Sequence, residues 1–541
     1  MTVMRKDIAA TALLRSGAAG LALALGLSAA LAATPGDTLV VAMNIDIIKT
    51  FDPAQINEGL TADILQSICD GLVEYHPSET GKVIPKLAES WELSEDRKTV
   101  TFTLREGLTF NSGNPLTAED VVFSMKRQIA LNYPNSSKLR DLGFNESTVE
   151  DNIKALDARR VQITMGNTYP LSFMLEYLAA NRAGAVVDSK LALENAKDND
   201  WGNAYLHRTS ACIGPYTLTE WRPGEAVLLT ENPSYWNGAP KLKHVLIRHV
   251  AESAAQRLLL EQGDIDIARN LSATDLADLE AAGKVNVSRA LTTRMYHWQF
   301  DLNDPIFANP KVRQAMRYLI DYKGLGETVM KGIGMPRTSM LPLGVLGAPS
   351  EADGLKFELD LDKAKALLAE AGYPDGFEAT VLINTRPFAE AVAQSIQFNA
   401  AKVGVKLNID RGTQQVQATK IYARSFQTGL QEWMWAIWDP HGNTSRLMQN
   451  TDNSDEAKLL GYPAWLSSYQ NPEVNQKVLD AFLEGDEAKR IALYAELDVI
   501  YAVEGVTAPM FQTYEVMAAT PAVKDLHWHA LKVYYADMSK E

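Results

Sequence analysis

Cysteine is the scarcest residue of consequence in this 541-residue chain: there are only two, Cys69 and Cys212. That excludes a framework of several disulfides. The sequence leaves open a Cys69–Cys212 bridge, with two buried thiols as the plain alternative, since a core of this size needs no covalent staple. Positive charge is also short. The net charge of −15 and pI near 5.2 argue against nucleic acid as a partner. After Ala33 no stretch is apolar enough to cross a bilayer. The chain carries no G-x-S-x-G, H-E-x-x-H or Walker-type phosphate loop, and Gly332-Ile333-Gly334 runs into Met-Pro-Arg rather than a phosphate cradle. Scattered carboxylates could still form a glycosidase-like pair, so a secreted hydrolase stays as the different-class alternative to a non-enzymatic protein.

The N-terminus reads as an export signal, residues 1–32. Arg5, Lys6 and Arg15 are followed by the small and apolar run Gly17–Ala33, and Ala30-Leu31-Ala32 offers cleavage before Ala33. The roughly 508 residues that follow are too many for one compact core, so two or more lobes are expected. With 46% hydrophobic and 22% charged residues the chain should fold unaided. Thr38–Met43 reads as a buried first strand, with the loop from Asn44 to Gln55 behind it. Thr61–Leu72 has helical periodicity, and Ser172–Ala180 is helical. Tyr216–Trp221 and Ala226–Leu229 flank the turn Arg222-Pro223-Gly224-Glu225 as a hairpin.

The most informative stretch is 87–127. Thr99–Leu104 alternates as a half-buried strand, Gly107 and Asn111–Pro115 punctuate it, and Thr117 caps a helix with Glu119 and Asp120 in its first turn. The order of Trp91, Thr101, Phe102, Leu104-Arg105, Gly107, Phe110, Gly113 and Leu116-Thr117-Ala118-Glu119-Asp120-Val121 closely resembles the signature of family 5 solute-binding proteins of ABC importers, the peptide, nickel and opine binders. Further similar blocks are Ile213–Trp236, Gly263–Ile267, Val312–Met316 and Asp362–Gly372 before the strand Glu378–Leu382. The resemblance implies an α/β, two-lobe periplasmic-binding-protein fold, type II-like, with the extra subdomain of the large peptide-binding class. Lobe I would be 37–295, with the subdomain at about 76–205 and a return at 513–541; lobe II would be 296–512. Crossovers near Met295–Asp301 and Phe511–Tyr514 would form a hinge. It also implies a monomeric periplasmic protein that takes no cofactor and hands a small-molecule solute to an inner-membrane permease.

Candidate site residues follow from chemistry and position. In Glu432–Arg446, EWMWAIWDPHGNTSR, Trp433 and Trp435 share a strand face and Trp438 lies at the mouth of the next loop. Indole faces stack on sugar rings and attract cations, although core packing is the plain alternative. The peptide binders of the family grip an α-amino group with an Asp ahead of a later Asp-Pro. Aligning Asp439-Pro440 to that pair puts Ala436 at the gripping position, and a buried ammonium without its carboxylate costs several kcal/mol. Asp439-Pro440-His441 behind an aromatic resembles the nickel-binding branch instead, yet His441 is a single possible ligand, and no metal site is assigned. His297 and Trp298 border the crossover. Arg182 and Arg386 suit anionic groups from loop positions. Asn44, Asp46 and Phe51 leave the carboxyl end of the first strand, and Tyr514 sits at the return crossover. Arg105, Asp120 and Arg313 are read as scaffold. The expected ligand is an opine-like sugar-amino-acid conjugate or an oligosaccharide, with a di- or oligopeptide as the alternative.

Overall fold

A computed structural model describes residues 34–541 other than 57, 181–183, 355, 387 and 436. The export signal, Arg182 and Ala436 lie outside the described residues. One mixed sheet runs through both halves of the molecule. From one edge its strands are Lys406–Arg411, Glu378–Ile383, Thr428–Trp433, Asn286–Phe300, Thr507–Ala519, Ile267–Ala268, Thr38–Met43, His244–His249, Ala226–Glu231 and Tyr216–Arg222. Thr38–Met43 is parallel to both its neighbours, as a strand buried on both faces should be, and five of its six residues are buried.

The two central strands join the halves. Asn286–Phe300 and Thr507–Ala519 are antiparallel, and their register breaks between Leu291 and Met295, opposite Tyr514 and Gln512. Side chains take over the hydrogen bonding there: Thr292 Oγ1 donates to Thr513 O at 2.7 Å and Gln512 Nε2 donates to Thr292 O at 2.7 Å. On one side of the break the strands pair with the first half of the sheet; on the other, Met295–Phe300 pairs with Thr428–Trp433. A β-ladder interrupted in both strands at one level is a natural place for bending.

The segment that carried the family resemblance builds a separate four-stranded sheet, with Thr99–Leu104 between Ala88–Leu93 and Arg160–Thr164. Val100, Phe102 and Leu104 point inward. Helix Ala118–Leu131 starts with a reciprocal cap between Thr117 and Asp120, whose carboxylate accepts the Thr117 N–H at 2.8 Å. Arg313 donates to Phe307 O and to Glu504 O, and Arg105 to Lys86 O, so these residues do tie backbone together. The subdomain core is continuous with that of the second half: Phe102, Val121 and Phe173 belong to one cluster with Trp438, Leu447, Phe482 and Tyr494.

Cys69 and Cys212 are disulfide-bonded, with Cα atoms 4.9 Å apart across 143 residues of sequence. Periodicity suggested Thr61–Leu72, but the helix is Gly59–Leu65. Turn bonds carry on as far as Cys69 N–H to Leu65 O at 2.8 Å, and beyond them Asp70 N–H donates to Ile213 O and Tyr216 N–H to Ser67 O, which ties 67–70 to the segment after Cys212.

Candidate functional site

A cavity of about 1180 Å³ lies where the two halves meet. One wall comes from the subdomain side, where Tyr169, Phe173 and Tyr177 recur at four-residue steps along and just ahead of helix Leu171–Ala179. Phe173 and Tyr177 are four residues apart on the helix, slightly more than one turn, so they share a face, and Tyr169, ahead of the helix, lies 6.3 Å from Phe173 between ring centroids. The facing wall is Trp433, Trp435 and Ile437, then His441, Arg446 and Phe482. Trp433 and Trp435 lie with their planes 3° apart and centroids 6.4 Å apart. Phe482 knits the walls together: His441 stacks on it at 3.7 Å, and Phe173 meets it edge-on at 4.8 Å. Burial, reinforced by the Arg490 and Arg446 charges, holds the His441 pKa well below its ordinary value, so the imidazole is neutral.

The polar part of the wall is one group of side chains. Arg446 Nη2 is 3.6 Å from Asp141 Oδ2, Tyr177 Oη donates to the same oxygen at 3.1 Å, and Arg446 lies over the Tyr462 ring at 4.2 Å. Lys138 lines the cavity one helical turn before Asp141. Asp141 is pushed above its ordinary pKa by desolvation, which outweighs the pull of Arg446. The cavity thus pairs a broad aromatic surface with a compact cluster of two cations and one carboxylate.

Behind the wall the halves are tied by a buried carboxylate. Glu176, on the helix carrying Phe173, accepts the backbone N–H of Trp438 and, at 3.0 Å, that of Asp439. Asp439 caps helix Pro440–Met448 and takes Arg490 Nη2 at 2.7 Å. Burial first, and the nearby Asp439 charge second, push the Glu176 pKa well up.

The structure corrects several sequence expectations. Trp438 is 2% exposed and faces core, not cleft, because Glu176 pulls its backbone inward and its ring seats against Gly81 and Gly344. A Cβ at Gly344 would stand 3.0 Å from the indole and one at Gly81 3.1 Å from the Trp438 Cβ, and both glycines have positive φ. Asp439 is buried as a cap and ion-pair partner, so it offers nothing to the cavity. Phe51 packs edge-on against Trp221 at 5.3 Å, since the adjoining Asp52 is clamped by Arg127 Nη1 and Nη2 at 2.7 and 2.5 Å. His297 and Trp298 have neighbouring strands on both sides and are fully buried. Burial, with Arg317 adding to it, lowers the His297 pKa to about 3. Asn44 and Asp46 are exposed, Asp46 lying 3.5 Å from His249 Nε2, and Tyr514 is half-buried against the Ile333 backbone; none of the three lines the cavity. Arg386 pairs with Glu432 at 2.8 Å, beside the cavity rather than on its wall. Of the eleven candidates among the described residues, Trp433 and Trp435 are on the wall.

Sequence reasoning missed the opposite wall. Part of the signal was present in Phe173 and Tyr177, whose spacing on the helix read at Ser172–Ala180 marks a common face. Glu176, a charge amid Phe173-Met174-Leu175 and Tyr177-Leu178, was the other anomaly. Arg446, Tyr462 and Phe482 carried no local signal.

The model of the bacterial extracellular solute-binding proteins, family 5 Middle, matches residues 82–455, and the chain belongs to that family. The family is one of binding proteins, not enzymes. Among curated relatives, the probable D,D-dipeptide-binding periplasmic protein DdpA of Escherichia coli K12 is 27% identical over 508 residues, covering 93% of this chain and 94% of that one. The glutathione-binding protein GsiB of Escherichia coli O157:H7 is 28% identical, covering 91% and 92%. Among solved structures, the periplasmic binding protein DppA of Helicobacter pylori in complex with the peptide STSA superposes with a TM-score of 0.75 at 23% identity, covering 93% and 98%.

Proposed function

We propose that this protein is the periplasmic component of an ABC importer and captures a short peptide in the aromatic cavity, closing about the interrupted central strands. The observation that carries the ligand class is the wall itself: aromatic rings on both sides to bury side chains, beside a cluster in which Lys138, Asp141 and Arg446 complement the charges that peptide termini bring. A volume of about 1180 Å³ exceeds the roughly 300–1,000 Å³ of sites for drug-sized molecules, so the space suits more than a single sugar unit. The names of DdpA and GsiB point the same way. The alternative in the sequence reading therefore becomes the preferred one, and the argument from Ala436 loses force because Asp141 supplies a carboxylate from the opposite wall.

A sugar-amino-acid conjugate is a second reading, favoured by the parallel indoles of Trp433 and Trp435, a surface suited to a pyranose face. A thermal-shift screen with short peptides, opines, oligosaccharides and nickel chelates separates the readings. A true ligand at a hundredfold excess over Kd stabilises by about 2.7 kcal/mol. Peptides should give that shift; a shift with opines or sugars alone would overturn the peptide reading.

A further inference from the structure

A pocket of about 230 Å³ opens on the first half of the molecule and shares no lining residue with the aromatic cavity. Its walls come from 66–70 beyond the first helix, the segment 235–241, and 532–537 of the C-terminal return, with Lys86 and Pro215 between them. Among the described residues nothing from 296–512, the second half, reaches it.

The floor of this pocket is ionic and neutral overall. Lys86 and Lys532 are both more than nine-tenths buried and meet opposite oxygens of Glu74, Lys86 at 3.1 Å. Asp70 Oδ2 accepts the Tyr235 hydroxyl at 2.6 Å and the Trp236 N–H at 3.1 Å, while its Oδ1 lies 3.8 Å from Lys86 Nζ. An ammonium carries three N–H donors and each lysine directs one at Glu74, so donors remain on both. Acceptors remain as well. Gln66 donates from Nε2 to Leu531 O at 2.5 Å, but among the described residues no hydrogen bond engages Gln66 Oε1, Ser67 Oγ or Asp70 Oδ1. All three side chains are buried, Ser67 being 4% exposed.

This mixture selects the chemistry of a guest. Two buried cations face two buried anions, so a guest of either net charge would go uncompensated. An apolar guest would leave the spare donors and acceptors unpaired. A trans amide holds its N–H and C=O on opposite sides, so it cannot present donor and acceptor at one spot. A hydroxyl does both from a single oxygen and carries no charge. The volume is below the roughly 300 Å³ at which sites for drug-sized molecules begin, which limits the guest to one small unit.

We propose that this pocket binds one neutral saccharide unit, with adjacent hydroxyls on the Lys86 and Lys532 ammoniums, Asp70 Oδ1 and Ser67 Oγ, at a site separate from the import cleft. It does not depend on what the aromatic cavity takes.

The test titrates D-glucose into the full protein by saturation-transfer NMR, with acetate and N-acetylglycinamide as charged and amide controls. Glucose should bind the wild type, and equally Trp435→Ala, which alters only the aromatic cavity. Ala239 is exposed at the rim, so Ala239→Trp lays an indole over the mouth and should abolish glucose binding with the melting temperature unchanged. Ser67→Ala removes a hydroxyl that has no partner in the fold and should weaken binding roughly three- to tenfold. No glucose binding, binding lost in Trp435→Ala, binding that survives Ala239→Trp or Ser67→Ala at full strength, or either control binding as tightly as glucose overturns the assignment. Should Ala239→Trp not fold, Ser67→Ala decides alone. Maltotriose separates two sources of such a unit: tighter binding than glucose points to a glycan chain, equal or weaker binding to a free sugar.

Discussion

Glu176 gives the sharpest prediction, because one carboxylate of the first half accepts two backbone N–H groups of the second. Leaving a buried donor unpaired costs about 1–3 kcal/mol. Removing the acceptor leaves two such donors, and the loss of a buried carboxyl's desolvation cost returns part of the loss. Glu176→Ala should therefore disfavour closure by about 3 kcal/mol, and at 1.4 kcal/mol per tenfold this weakens ligand binding by about 100-fold. The pH dependence has a definite sign. Opening that returns the carboxyl to water would remove the burial that raises its pKa above the ordinary 4.5 in the structure described. Below about pH 4.5 both forms hold the proton and closure carries no penalty from this group. As pH rises from there towards the raised value, closure requires uptake of a proton the open form has released, so affinity falls, then levels off. His441, with its depressed pKa, contributes the opposite slope at acid pH, so wild type must be compared with Glu176→Gln, in which His441 is unchanged. The amide oxygen still accepts the two N–H groups. Calorimetry across pH 5–8 should show wild-type affinity falling relative to the Gln variant. Parallel pH profiles, or full affinity in Glu176→Ala, would refute the closure role.

Other outcomes follow from the same geometry. Trp435→Ala should weaken binding by roughly 1–3 kcal/mol, as expected for loss of a stacking aromatic, whereas Trp438→Ala should act chiefly through folding stability, lowering the melting temperature in the absence of ligand. Reducing Cys69–Cys212, or replacing both by Ser, removes a link closing 143 residues. Loop-closure entropy puts the loss near 5 kcal/mol as an upper value, read as a lower urea midpoint that non-reducing conditions restore in the wild type alone. Glu74 is held at about pKa 2: burial alone would raise it, but Lys532 and Lys86 more than offset that. Its stabilisation is complete above about pH 4.5 and is lost as pH falls towards 2, so Lys532→Met should flatten that part of the acid-unfolding curve.

What was legible in the sequence was local or ordered along the chain. Strand Thr38–Met43, the Thr99–Leu104 strand and the capped helix after Thr117 follow from alternation and capping chemistry within a few residues, and the family follows from one long signature. The indole pair was also legible, because alternation fixes which neighbours share a face. The ends of elements were less so. The helix from Gly59 gives way to turns after Leu65, where the chain pairs with Ile213 and Tyr216 far along the sequence, and no periodicity carries that information.

The site was decided by tertiary structure. Trp438 and Trp435 are equivalent by composition and differ only because Glu176, 262 residues from Trp438, draws one backbone segment inward. Phe51, His297 and Trp298 stand at the right place along the chain but point into packed core, and burial of a side chain depends on what the other side of the sheet brings. The facing wall is assembled from residues near 140, 173, 446 and 482, so no window of sequence contains it. Local order therefore fixed the elements and the family, while the fit of one half against the other chose which side chains meet a ligand.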